Sequence, residues 1–337
     1  MENRRPTIKD VSKLAKVSIK TVSRVVNNDI HLGAETKEAV LEAIKQLNYK
    51  PNLTAKNLKV NKTNVIGFII PDFANQFFGF IFNGIEKVMK TFGYNIIVLN
   101  SDGIEGNEEK CIDILIQNNV EGIIFASTGL SGQYVQKQMD IFRIPFVLVD
   151  NKLVGVKMNC VLHDNISGAE ILTEHLIEND KEKKIAFIAG PINETSCKKR
   201  LEGYKNSLLR NRIEINENLV KLGQWNNKSG YELTLELFNQ NDNPSSIFIG
   251  STSMAIGVIK ALHELKLKCP EKIKIVSFDD LEFVESTEPS LTTLNRVEEL
   301  IGDCAAKMLL RKIHEKDIIN FDEEYISMEL IVRESSI

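Results

Sequence analysis

The sequence predicts two folds on one chain: an N-terminal all-α head of about sixty residues and an α/β body of two doubly wound parallel-sheet subdomains. Three observations carry this reading. Apolar residues recur at helical spacing from Ile8 to Leu47. Beyond residue 63, short apolar runs alternate with amphipathic helical stretches. The charge is also split: the net −4 of the 337 residues resolves into +6 for residues 1–60, from 12 Lys and Arg against 6 Asp and Glu, and −10 for the rest. A basic head on an acidic body suits a nucleic-acid-binding module joined to a domain of another kind, and a solvated basic face is the plainer alternative.

Composition narrows the classes further. At 43% hydrophobic and 26% charged residues, the chain is of ordinary globular type. The opening stretch MENRRPTIKD is charged and lacks the apolar run of a signal peptide. No run approaches the roughly 18 apolar residues of a membrane span. Five cysteines (Cys111, Cys160, Cys197, Cys269 and Cys304) are scattered and fit reduced core thiols in a cytoplasmic protein. The five histidines show no metal-ligand spacing, so no metal or cofactor is expected.

In the head, Thr7 and Asp10 fit a capping box ahead of a helix carrying Ile8, Val11, Leu14 and Ala15. Lys16-Val17-Ser18 interrupts the pattern, and Ser18 can cap a second helix with Val22, Val25 and Val26 on its apolar side. Lys20, Thr21, Arg24 and Asn27 lie on the opposite face. After a loop through Gly33, a third helix carries Val40, Ala43, Ile44 and Leu47. Two short helices about three residues apart with a third packed on them suit a helix-turn-helix. The donors and cation of the second helix fit a major groove, where Arg or Lys donates to guanine O6 and N7. An ordinary three-helix bundle with a polar surface would show the same pattern.

The head's ordered motif closely resembles the headpiece of the lactose/galactose repressor (LacI/GalR) family. The stretches are Thr7-Ile8-Lys9-Asp10-Val11, Val17-Ser18-x-x-Thr21-Val22-Ser23-Arg24-Val25-Val26-Asn27, Glu35-Thr36-Lys37-x-x-Val40 and Leu47-Asn48-Tyr49-x-Pro51-Asn52. The resemblance implies that Ile19, Lys20 and Arg24 read bases. It places Thr7, Ser18, Thr21, Ser23, Asn27 and His31 near phosphates. It also implies that residues 52–59 form a hinge helix, with Asn52 and Ala55 in the DNA-facing set and Leu58 wedged into the minor groove. A flexible linker is the alternative there, since so short a helix is marginal alone. Two departures stand out: Lys16 and Gly33 occupy positions where the family often has Gly and Ser.

In the body, apolar runs predict parallel strands over residues 65–70, 95–99, 122–126, 145–149, 184–189, 246–249 and 274–278. Gly-rich phosphate loops, HExxH and GxSxG are absent from the sequence, which agrees with binding rather than catalysis, and no catalytic residue is assigned. The body also resembles the family's regulatory domain, itself similar to periplasmic sugar-binding proteins. The matching stretches include Asn75-Gln76-Phe77-Phe78, Arg200-Leu201-Glu202-Gly203-Tyr204 and Ser277-Phe278-Asp279-Asp280. The resemblance implies a head at residues 1–60, an N-terminal subdomain of 63–163 plus 293–325, and a C-terminal subdomain of 164–292 plus 326–337. Ligand would lie in the cleft between the subdomains. By motif position its contacts are Phe77, Asp150, Arg200, Trp225 and Asp279, with core packing, capping and loop roles as the alternatives.

One departure bears on the ligand: Gly250-Ser251-Thr252-Ser253 replaces the family's usual Asn-Asp pair, so Ser251 and Thr252 stand where a sugar-gripping carboxylate often does. Lys198, Lys199 and Arg200 leave an anionic ligand such as a sugar phosphate open. The resemblance implies a cytoplasmic, nucleoid-associated homodimer that binds near-palindromic double-stranded operator DNA. It would be a transcriptional regulator, in most members a repressor of a carbohydrate or metabolite operon, controlled by a small-molecule effector. The alternative is a sugar-binding protein or sugar-acting enzyme with a vestigial headpiece.

Overall fold

In the computed structural model, residues 6–26, 32–50, 62–239, 243–315 and 320–337 are described, and the chain divides into two units, Met1–Thr63 and Asn64–Ile337. Among the described residues the first unit carries three helices: α1 (Ile8–Leu14), α2 (Ile19–Val26) and α3 (Ala34–Gln46). The Asp10 carboxylate accepts from the Thr7 backbone N–H at 2.8 Å and its hydroxyl at 2.7 Å, which fixes the start of α1. Lys16 ends the turn at φ +53°, the left-handed region that costs a side chain roughly 1 kcal/mol. Ser18 Oγ accepts from the Thr21 N–H at 3.1 Å and caps α2. Val11, Val22, Val25, Val40 and Ala43 are buried where the three helices meet, each valine contributing roughly 1.5–3 kcal/mol. The expected sites Asn27, His31, Asn52, Ala55 and Leu58, and the hinge segment with them, lie outside the described residues.

The second unit opens with β1 (Val65–Ile70), α4 (Gln76–Thr91), β2 (Asn95–Asn100), α5 (Glu105–Gln117), β3 (Ile123–Ala126), α6 (Gly132–Phe142), β4 (Phe146–Val149) and β5 (Asn159–His163). It continues through α7 (Asn165–Asn179), β6 (Ile185–Ala189), α8 (Thr195–Arg210), β7 (Val220–Leu222), α9 (Asn227–Phe238), β8 (Ser246–Ile249), α10 (Ala255–Glu264), β9 (Lys274–Ser277) and β10 (Thr292–Leu294). Then follow α11 (Glu298–Glu315), β11 (Glu323–Ile326) and β12 (Leu330–Ile331).

These strands form two six-stranded sheets, ordered β11-β5-β4-β3-β1-β2 and β12-β10-β9-β8-β6-β7. Every pairing is parallel except β10 with β12, so both faces of each sheet need helical cover. The chain passes between the sheets after His163, after Leu294 and after Ile326. The second passage comes two residues later than the sequence placed it, because all of β10 pairs with β9 and β12.

The seven strands expected from apolar runs form within a residue at each end. Of the five others, β5 is a buried five-residue strand, β12 has two residues, and β7 (Val-Lys-Leu), β10 (Thr-Thr-Leu) and β11 (Glu-Glu-Tyr-Ile) carry polar residues because they are recruited by a neighbour rather than by an apolar run of their own. Helices α4 and α11 pack against each other across Gly84 and Gly302, where any Cβ would run into the carbonyl oxygens of Glu299 and Ile81. Among the described residues no helix is long and apolar enough to cross a membrane.

Candidate functional site

A cavity of about 370 Å³ opens where the C-terminal ends of the two parallel sheets meet, within the usual size range of small-molecule sites. The first sheet supplies Asp72 after β1, Asp102 after β2, Ser127 and Thr128 after β3, and Asp150 and Asn151 after β4. The second supplies Glu194 from the β6–α8 turn, Ser196 and Arg200 from the first turns of α8, Gln224 to Asn226 after β7, Ser251 after β8 and Asp279 after β9. Phe77 and Phe78 of α4 add apolar wall. Strand ends converge because parallel β-α units place all their βα loops at one edge.

Arg200 is 3% exposed and held on four sides. Its Nε donates to Asn165 Oδ1 at 2.8 Å and its Nη1 to the Gly250 carbonyl at 2.5 Å. Its guanidinium lies 3.6 Å from the Phe278 ring centre and 5.6 Å from that of Trp225. Nη2 faces Asp279 Oδ1 at 3.8 Å, an ion pair too long for a hydrogen bond. Asp279 spends its other oxygen on Ser251 Oγ at 2.7 Å and the Thr252 N–H at 3.3 Å. Oδ1 is buried without a hydrogen-bond partner.

Three carboxylates share this wall. Glu194 Oε2 accepts from Trp225 Nε1 at 2.7 Å and Asn151 Nδ2 at 3.3 Å, and Asn151 Nδ2 also reaches Asp150 Oδ2 at 3.1 Å. Burial pushes the Glu194 carboxyl above its ordinary range, against the pull of the Trp225 and Asn151 donors. Asp150 sits at φ +68°, and burial, with the charges of Glu194 and Asp279, pushes its carboxyl up to about 7 despite Arg200. A fourth carboxylate, Glu108, lies behind the wall. It accepts from the Thr128 N–H at 2.7 Å, Thr128 Oγ1 at 3.1 Å and Ser131 Oγ at 2.6 Å, and so pins the loop after β3.

Six of the seven residues expected to touch ligand (Phe77, Asp150, Arg200, Trp225, Ser251 and Asp279) line this one cavity. Thr252 does not: it is fully buried behind the wall, its hydroxyl bonded to Ser277 Oγ at 2.7 Å and to the Asp279 carbonyl. Its part is to position Asp279. Trp225 is seated by Gly190, where a Cβ would overlap the indole. Phe77 is both core and wall, 6% exposed and packed on Phe78 and His163 with ring centres 5.0 and 5.6 Å apart.

Lys198 and Lys199 are exposed and absent from the lining, and Lys199 pairs with Glu202 at 2.7 Å. The phosphate-bearing ligand that they left open with Arg200 therefore loses two of its three cations. Sequence reasoning missed Glu194, Asn151 and Asp102. Asn151 and Asp102 lie two residues past a strand and Glu194 stands just ahead of α8, and a position in a strand-to-helix loop is the signal that finds them once the strand ends are known to share a cavity.

Next to the cavity, on the crossovers, sits a buried pair. His163 closes β5, Glu298 opens α11, and Nε2 and Oε1 are 4.0 Å apart. Neither imidazole nitrogen nor Glu298 Oε2 has a hydrogen-bond partner. Burial, and after it the charge of Arg200, lowers His163 to about 3. Burial, and after it the charge of Asp279, raises Glu298 to about 8. Both are neutral at pH 7, so the pair is no salt bridge there.

In the head, α2 presents Ser18, Ile19 and Lys20 to solvent, Ile19 with 45% of its surface exposed, while Thr21, Ser23 and Arg24 are half-buried on the same helix and Thr7 is exposed ahead of α1. An exposed isoleucine beside a cation and hydroxyls is a suitable face for base edges, methyl groups and phosphates.

Comparison with known proteins agrees with this division. Residues 7–52 match the model for bacterial regulatory proteins of the lacI family. Residues 63–332 match that for periplasmic binding proteins and the sugar-binding domain of the LacI family. The HTH-type transcriptional repressor PurR of Haemophilus influenzae is 34% identical over 337 residues, covering 98% of each chain. The ribose operon repressor of Halalkalibacterium halodurans is 33% identical, covering 98% of this chain and 97% of that one. The structure of the Lac repressor dimer bound to operator and the anti-inducer ONPF superimposes with a TM-score of 0.88 at 25% identity, over 99% of this chain and all of that one.

Proposed function

Since the chain belongs to the LacI family of bacterial regulatory proteins, and is a DNA-binding transcriptional repressor with an effector-binding body, we propose that it represses a carbohydrate-utilisation operon in response to a small hydroxylated effector. The observation that carries the proposal is the cavity itself. Aromatic Phe77 and Trp225 stand beside Asp150, Glu194, Asp279 and Arg200, the pairing of flat apolar faces with hydrogen-bonding groups that a sugar ring and its hydroxyls require.

In this proposal Ile19, Lys20 and Arg24 read bases, and Thr7, Ser18, Thr21 and Ser23 contact phosphates. Asn27, His31, Asn52, Ala55 and Leu58 complete the DNA-facing set on the resemblance alone. Two copies would bind a near-palindromic operator in the cytoplasm, since two-fold symmetry in protein demands it in DNA. The effector is contacted by both sheets, so its binding free energy depends on their relative position, which is what allows it to bias one arrangement of the body over another.

A thermal-shift screen of the full chain against neutral and modified sugars tests the effector side. A ligand at 100 times its dissociation constant should add roughly 2.7 kcal/mol of stability. Binding to palindromic DNA from beside its own gene, with and without that ligand, tests the rest. No preference for any such site over random DNA at physiological salt would overturn the proposal, and turnover of a bound sugar would favour an enzyme.

A further inference from the structure

Among the described residues, four hydrogen bonds away from the crossovers run directly from a loop of the first sheet to a loop and helix of the second. Asn151 Oδ1 accepts from the Ser196 N–H at 2.9 Å and from Thr195 Oγ1 at 3.2 Å. Asn151 Nδ2 donates to Glu194 Oε2 at 3.3 Å, and the Lys152 backbone N–H donates to Thr195 Oγ1 at 2.9 Å. Two successive residues after β4 thus grip three successive residues at the start of α8. None of the four bonds needs a ligand atom.

The grip also supplies a helix cap. The first N–H groups of an α-helix have no partner within the helix. Glu194, the N-cap residue of α8, makes no capping bond with its own side chain. A strong cap is an asparagine oxygen that accepts from the second or third helical N–H. Here that oxygen is Asn151 Oδ1, and it comes from the opposite subdomain. Asn151 and Ser196 are each 2% exposed, so their bond is shielded from water while the subdomains are together and is broken when they part.

The arm that carries the cap is braced. Asp150, at φ +68°, is the centre of a tight turn in which the Asn151 N–H donates to the Val149 carbonyl at 2.8 Å. Three-residue turns of this hand are rare and strained, and such strain persists only where the surroundings fix it. Lys152 Nζ is tied to Glu323 of β11 at 2.7 Å, and the Val154 N–H to the Gly129 carbonyl at 3.0 Å.

We infer that Asn151 and Thr195 form a latch that holds the two subdomains closed on the cavity, so that any effector binds a body already biased toward closure. Apparent affinity scales with the fraction of protein in the competent arrangement. The latch therefore sets a common affinity scale for whatever the cavity takes, and it does not depend on the ligand's being a sugar.

The test is amide-resolved hydrogen exchange on the full chain at pH 7, with acrylamide quenching of Trp225, the sole tryptophan, which lines the cavity. Thr195 lies outside that lining, and Thr195→Val removes its hydroxyl while leaving the bond from Ser196 to Asn151 available. If the four bonds act together, the Ser196 amide should exchange at least tenfold faster in Thr195→Val, Trp225 should become more accessible to acrylamide, and the amides of β6 should be unchanged. Thr195→Ser keeps the hydroxyl and should match the wild type in all three. Asn151→Ala is the reciprocal variant and decides if Thr195→Val does not fold: the Lys152 amide, whose acceptor is Thr195 Oγ1, should exchange at least tenfold faster, again with Trp225 more accessible. Unchanged exchange at the reporting amide overturns the latch. Faster exchange with Trp225 quenching unchanged overturns it too, because the bonds would then secure only the local turn.

Discussion

Glu298→Gln should stabilise the body by an amount that grows with pH. The Glu298 side chain is almost wholly buried at the start of α11, with Oε2 unpartnered and His163 4.0 Å away. Burial first, and then the nearby charge of Asp279, raise its carboxyl from 4.5 to about 8. Between those values the folded chain keeps a proton that the unfolded chain has released. Stability therefore falls as pH rises through that window and levels off above it. At about 1.4 kcal/mol per decade the loss reaches about 5 kcal/mol, or roughly 3–5 once relaxation around the group is allowed for. Glutamine mimics the protonated acid and cannot ionise. The variant should thus match the wild type within about 1 kcal/mol at pH 5 and exceed it by roughly 3–5 kcal/mol at pH 9. Asp150 titrates in an overlapping window but is common to both proteins, so the difference isolates Glu298. Urea unfolding from pH 5 to 9, followed by fluorescence of Trp225, the sole tryptophan, reads this directly. A stability difference that stays constant across the range would refute the reasoning.

His163→Phe keeps a ring against Phe77 and Phe278 but removes two buried nitrogens without hydrogen-bond partners, so a gain of roughly 1–2 kcal/mol is expected at pH 7. The gain should widen as pH drops below 6.5, because the folded histidine stays neutral to about 3 while the unfolded one takes up a proton; a loss at pH 5 in the same urea titration would count against it. Gly190→Ala should displace the indole, shifting Trp225 emission and weakening effector at least tenfold with DNA binding by the effector-free chain unchanged; an unmoved emission maximum would show that the seat is not needed. Arg24→Ala should cost roughly 1–3 kcal/mol of discrimination between operator and scrambled DNA in a competition gel shift, and unchanged discrimination would remove Arg24 from the reading set. Lys16→Gly relieves the φ of +53° and should raise the melting point of the head by an amount equivalent to at most about 1 kcal/mol; a lower melting point would mean that the lysine side chain outweighs the strain.

The sequence by itself determined the elements and their kind. The apolar face of Val22 and Val25 and the cap at Ser18 are local properties, written within a few residues, so α1 to α3 were legible in order. The seven apolar strands were legible because a strand covered by helices on both faces must be apolar throughout. The placement of Phe77, Asp150, Arg200, Trp225, Ser251 and Asp279 followed from motif position, and the structure gathers all six around one cavity.

What only the tertiary structure decided is which polar residues leave water and what they then face. Glu194 and Asn151 carry no motif in the chain and were missed. They become wall because loops from two sheets, more than forty residues apart, close on one another. Thr252 looked like a ligand contact and proved to be a brace for Asp279, because a 3₁₀ turn at Thr252–Met254 points its hydroxyl inward. Lys198 and Lys199 adjoin Arg200 in sequence, but only Arg200 turns toward the core, since successive residues on a helix diverge by about 100°. Burial and partnership are long-range quantities, fixed by sheet order and crossovers. They set the protonation of Asp150 and Glu298, and through it the chemistry that the cavity can accept.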